Sequence, residues 1–132
     1  MGELIYLFAS EAFRHSNGRT CLEGMSLLAE VLHPHGIPIT WIVGPESARI
    51  ASAQLTRWHE QDGDDVALAP PLEPGDRERK KRIIAEARDA IQTALPWARI
   101  TVAGECHTDP EVPALLEELG FEGLWGYGWE HV

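Results

Sequence analysis

Five short apolar runs, at residues 4–8, 37–43, 66–68, 99–103 and 123–127, are separated by four segments long enough to form a helix. Runs this short read as strands. Strands that alternate with helices pair in parallel, because each helix returns the chain to the same end of the sheet. The first run is apolar without interruption, as expected of a strand whose two faces are both covered. The expected fold is α/β, a parallel five-stranded sheet with four connecting helices, in a single domain over residues 1–132. Ligands of such sheets bind beyond the carboxyl ends of the strands.

The helical segments carry recognisable ends and faces. Thr20 followed by Glu23 forms a capping box, which places Cys21 in the first turn. Leu22, Met25, Leu28, Ala29 and Leu32 then recur at helical spacing. Pro34 and Gly36 close that helix. Gly44-Pro45 marks the turn after the second strand, and Ser47 is the expected cap of a second helix burying Ile50, Ala51, Leu55 and Trp58. Asp62-Gly63-Asp64 turns into the third strand, which leaves through Pro70-Pro71-Leu72-Glu73-Pro74-Gly75, a stiff segment. A third helix begins near Asp76, with Ile83, Ile84, Ala87, Ile91, Ala94 and Leu95 as its apolar stripe, and ends at Pro96. Asp109 and Pro110 are the expected cap and first turn of a fourth, which buries Leu115, Leu116 and Leu119 and stops at Gly120.

Composition narrows the ligand. The net charge is -10, which argues against nucleic acid and against an anionic membrane surface, since both need a basic face. A neutral or cationic small molecule or a glycan suits it better, although such charge also simply confers solubility. Two cysteines are too few for a disulfide framework, and residues 4–9 are too short for a signal core or a membrane span. The expected compartment is the cytoplasm.

Polar residues gather where three of the strands end. Glu11, Glu105 and Glu130 are the candidate catalytic acids. Glu105 and His107 flank Cys106 between a strand end and a helix start, a place suited to acid–base chemistry or anion binding. His107 and His131 are the candidate metal ligands, and a mixed carboxylate–imidazole set suits a divalent metal such as zinc. The competing reading makes these residues solvated loop and chain-end groups. His15 and Cys106 are assigned to substrate contact. Trp125, Tyr127 and Trp129 alternate and so share one face of an extended run; they are placed to stack on sugar rings, or else to fill the interior. His33, His35 and His59 lie at helix ends on the opposite rim, where a structural role is expected. Trp41 and Trp97 read as packing.

Three stretches resemble polysaccharide deacetylase-like (NodB-homology) domains, which belong to the glycoside hydrolase/deacetylase (β/α) barrels. Residues 27–44, with His35-Gly36-Ile37-Pro38-Ile39-Thr40 at their centre, resemble the family's helix, turn and second strand. Residues 58–68, Trp58-His59-Glu60-Gln61-Asp62-Gly63-Asp64-Asp65-Val66-Ala67-Leu68, resemble the approach to its metal-binding histidines. Leu119-Gly120-Phe121, within residues 115–125, resembles its approach to the fifth strand. The resemblance implies that the sheet is a partial (β/α) barrel and that the activity is hydrolysis of a carbohydrate substituent or linkage.

The motifs that carry the family's chemistry differ here. Its opening Thr-Phe-Asp-Asp motif is replaced by Phe8-Ala9-Ser10-Glu11, which leaves Glu11 to stand in for either acid. Its histidine pair after the third strand is replaced by Ala69-Pro70-Pro71, and its arginine–proline motif by Gly104-Glu105-Cys106-His107. The family barrel also has more strands than the five read here. Residues 1–132 are accordingly either the N-terminal part of a longer barrel, a reduced domain, or one half of a homodimer joined through exposed sheet edges. The alternative to a hydrolase is an inactive barrel remnant that binds a glycan or a partner chain.

Overall fold

A computed structural model describes residues 8–11, 22–71, 73–104 and 109–125 of the chain. Strands β1 (Phe8–Glu11), β2 (Ile39–Val43), β3 (Asp65–Leu68), β4 (Val102–Gly104) and β5 (Gly123–Trp125) pair in parallel, in chain order. Helix α1 (Leu22–Leu32) precedes β2, α2 (Pro45–Ile50) and α3 (Ser52–Asp62) join β2 to β3, α4 (Arg77–Ala94) joins β3 to β4, and α5 (Val112–Glu118) joins β4 to β5. The α/β class and the parallel sheet are as expected.

A sheet wound in chain order places successive right-handed crossovers on one face, and the core has that form. Ile39, Trp41, Val43, Val66, Leu68 and Ala103 present one face of β2, β3 and β4 to Met25, Ala29, Leu55, Trp58, Ile84, Ala87, Ile91, Leu115 and Leu116 of the helices. Ile42 and Ala67 lie on the other face, and both are buried. A Cβ added to Gly104 would stand 2.8 Å from Ile42 Cδ1. Yet β2 and β4 are two strand spacings apart, roughly 9.5 Å in a flat sheet, which is more than an isoleucine can bridge. The sheet therefore bends toward its helix-free face, with Ala67 small enough to pass beneath Ile42.

Four connecting helices were expected, and five α-helices are present among the described residues. The segment after β2 breaks at Ala51, whose ψ of 15° leaves the helical region while its N–H still bonds Ser47 O. The bend keeps Ala48, Ala51 and Leu55 buried but turns Ile50 outward, 41% exposed rather than in the core. The start of α2 also differs. Gly44 is its N-cap, and Ser47 Oγ accepts from Gly44 N–H at 3.1 Å from inside the first turn. The other end signals hold. Asp76 accepts from Arg79 N–H at 2.8 Å to open α4, and Gly36, Gly63 and Gly120 have the positive φ of helix-ending residues. Asp109 caps a turn rather than a helix: its Oδ1 accepts from Glu111 N–H, and Glu111 is the N-cap of α5. Thr20 and Cys21 lie outside the described residues.

Strand limits moved with the pairing. β1 extends to Glu11, and β4 begins at Val102 rather than residue 99. Among the described residues, β1 and β5 are the outer strands of an open order and do not pair with each other.

Candidate functional site

The carboxyl ends of the strands form the rim at which a ligand was expected. Glu11 is the last residue of β1 and is paired with Ile42, so it belongs to the strand and not to the loop beyond it. β2 leaves through Gly44 into α2, and β3 leaves through Ala69, Pro70 and Pro71. β4 ends at Gly104, which pairs with Trp125, the last residue of β5. The segments that begin at Glu105 and Gly126 therefore leave adjacent strands at one level. Glu11 sits three strands from Gly104, roughly 14 Å along a flat sheet, and only the observed bend shortens that path.

Of the expected site residues, Glu105, Cys106, His107, His15, Tyr127, Trp129, Glu130 and His131 lie outside the described residues. The candidate zinc ligands His107 and His131 are among these. Among the described residues no three His, Cys, Asp or Glu side chains come together as a metal site.

A cation on this rim escaped the sequence reading. Lys80 Nζ, in the first turns of α4, lies 2.9 Å from Glu111 Oε1 and 3.0 Å from Asp109 Oδ2. The hydrogen bonds to Glu111 and Asp109 hold the Lys80 ammonium above its ordinary pKa. In turn, the bond from Lys80, reinforced by Glu111 N–H, holds the Asp109 carboxyl below its ordinary range. This cluster fixes the approach to α5 directly after the segment that contains Glu105 and His107. Its signal was present in the sequence, since a lysine in the first turns of a helix opposes the dipole and calls for an anionic partner.

The most elaborate polar arrangement lies at the opposite rim. Asp64, between Gly63 and the first residue of β3, is 1% exposed. Its carboxylate accepts from Ile39 N–H at 2.9 Å and from Trp41 Nε1 at 2.8 Å. His33 Nε2 lies 2.8 and 2.9 Å from its two oxygens. A buried carboxylate without such donors would be strongly destabilising; here several donors converge on it. The Trp41 and Trp58 rings stack at 5.2 Å beside it, and His33 Nδ1 lies 3.3 Å from Asp62 Oδ2. His33 is thus a carboxylate partner rather than a helix-end charge, but its role is structural as expected. Asp64 itself had read only as a turn residue. The signal that was missed is Trp41, because a tryptophan inside an apolar strand must find an acceptor for its N–H.

His59 completes this rim. Its Nδ1 donates to Asp64 O at 2.7 Å, and its ring stacks on Trp97 at 4.0 Å and 9°. Trp97 Nε1 donates to Thr56 Oγ1 at 2.9 Å. The pair borders a cleft of about 520 Å³. No helix among the described residues is long and apolar enough to cross a membrane. No family model, curated protein or solved structure shows significant similarity to this chain.

Proposed function

We propose that the chain is a divergent carbohydrate-active hydrolase-like domain, a partial (β/α) barrel of the polysaccharide deacetylase and glycoside hydrolase type. The observation that supports this reading is the bend of the parallel sheet. The helices cover one face, while the face bearing Ile42, Ala67 and Gly104 curves inward as the lumen side of a barrel does. Glu11 holds the Ile42 register position on β1. Gly104, which precedes Glu105 in the chain, pairs with Trp125 at the same rim.

In this reading Glu11, Glu105 and Glu130 supply the acid and base. His107 or His131 assists directly or through a divalent metal such as zinc. Lys80 stabilises the loop through Asp109. If two of the carboxylates flank a glycosidic bond, their separation selects retention or inversion.

The test is turnover of acetylated chitooligosaccharides and of nitrophenyl glycosides by the full chain, with and without added zinc. Glu105→Gln should lower kcat/KM by about 10²-fold or more if Glu105 is the general acid or base. Turnover that Glu105→Gln and Glu11→Gln leave unchanged would overturn the assignment.

A second reading, a barrel remnant that binds a glycan or a partner without turnover, is favoured by one feature. β3 exits into Ala69-Pro70-Pro71, where the resemblance calls for two metal-binding histidines. Binding without product formation by the unmodified chain would select it. Association through the outer strands β1 and β5 belongs to either reading, and sedimentation over a range of concentrations tests it.

A further inference from the structure

We propose that the cleft at the amino-terminal rim, between β3 and β4, is a binding site for a neutral oligosaccharide. It is separate from the carboxyl-terminal rim and independent of any hydrolysis there. The cleft exists because the sheet is unzipped at this point. β2 and β3 pair over four positions, whereas β3 and β4 pair only at Leu68 and Ala103.

The direction of the backbone shows what the gap leaves over. Ala69 N–H bonds Val43 O. The odd-numbered amides of β3 therefore face β2, and the even-numbered ones face β4. Val66 N–H accordingly points at β4, yet its partner is the carboxylate of its own neighbour, Asp65, at 3.2 Å. Across the gap, Thr101 O is turned the other way and accepts from Glu122 N–H at 2.8 Å.

Six side chains line the opening: His59, Asp65, Trp97, Arg99, Thr101 and Glu122. One wall is rigid. His59 and Trp97 lie stacked, each held by a hydrogen bond from its own ring. A carbonyl oxygen only accepts, so His59 Nδ1 carries a proton, and in the neutral ring Nε2 is left as an acceptor. Arg99 and Glu122 are exposed, and among the described residues neither has an ion-pair partner; Asp65 is exposed with one oxygen on Val66 N–H, and Thr101 is half-buried.

This set of groups selects its ligand. An aromatic wall takes the C–H face of a pyranose. Two carboxylates and an imidazole nitrogen accept from hydroxyl groups, while Arg99 and Thr101 donate to ring and hydroxyl oxygens. Asp65 and Glu122 outnumber Arg99, which disfavours phosphate and carboxylate ligands, as does the net charge of -10. A neutral polyol ring satisfies every group without burying an unpaired charge.

The experiment is calorimetric titration of the full chain with cellotriose and with chitotriose, repeated on Arg99→Ala and Trp97→Ala. Arg99 is exposed, so its variant retains the fold if Trp97→Ala does not. The expected result is saturable binding of at least one sugar, weakened about tenfold or more by Arg99→Ala. No binding of either sugar, or binding that Arg99→Ala and a folded Trp97→Ala leave unchanged, would overturn the proposal. Because the readout is binding and not product, its failure is distinct from failure of the hydrolase assignment.

Discussion

Asp64 holds three segments of the chain at one point. Its carboxylate gathers Ile39 N–H from the start of β2, Trp41 Nε1 from within it and His33 Nε2 from the turn after α1. Asp64→Ala removes the acceptor and strands these donors in the core, and should cost about 3–5 kcal/mol. Asp64→Asn keeps the shape but presents an NH₂ to groups that themselves donate, and should cost about 1–3 kcal/mol. Urea unfolding followed by tryptophan fluorescence reads both. Near-zero values would mean that water takes over the donors. Lys80 and Asp109 make a prediction of opposite kind, since it concerns pH. The folded-state pKa of Asp109 is lowered from 3.8, so its contribution to stability is present above that pH and lost as pH falls through the folded value. The pKa of Lys80 is raised from 10.5, so its share is present below that pH and lost as pH rises beyond it. Lys80→Met should therefore flatten the loss of stability as pH falls below 3.8, measured as the shift of the urea midpoint.

At the level of elements, the closest packing on the helix-free face is between β2 and β4. A Cβ on Gly104 would meet Ile42 Cδ1 at 2.8 Å and both Cγ atoms at 3.3 Å. Rotating the terminal methyl away does not clear the two inner carbons, so Gly104→Ala should destabilise by about 1–3 kcal/mol. Ile42→Ala removes all three atoms. The double variant should then recover part of that loss, giving a coupling term of about 1 kcal/mol or more in a double-mutant cycle. Additivity would show that the sheet relaxes freely and is not held in its bend. The bend could not be read from the sequence, although the elements largely could. α4 was legible because its stripe of Ile84, Ala87 and Ile91 repeats at helical spacing and Asp76 opens it. The break at Ala51 was not, because no proline or glycine marks it and burial on both sides of it decides the geometry. Strand limits failed for a related reason. β4 is only as long as its pairing with β3 and β5, and that is a property of its partners.

For the molecule as a whole, topology made the carboxyl-terminal rim legible as a place. The buried cluster at the other rim stayed hidden because Asp64 reaches partners 23 to 31 residues away. No local pattern signals contacts at that separation. The same contrast between local and long-range forces yields a prediction about salt. With 21 acidic and 11 basic side chains the fold carries a net charge of -10, and its self-repulsion acts over distances that salt screens, about 8 Å at physiological ionic strength. Surface pairs such as Lys80 with Asp109 and Arg77 with Glu118 act in the opposite sense, because screening weakens them. Pairs at the surface contribute little each, so the unbalanced charge should dominate. The urea midpoint of the unmodified chain should rise between low and moderate sodium chloride. The hydrogen bonds of Asp64 lie in the core, beyond the reach of counterions, so the stability lost in Asp64→Asn should be the same at every salt concentration. A midpoint that falls with salt would assign the stability to the surface pairs instead. A loss in Asp64→Asn that shrinks with salt would place that carboxylate within reach of solvent.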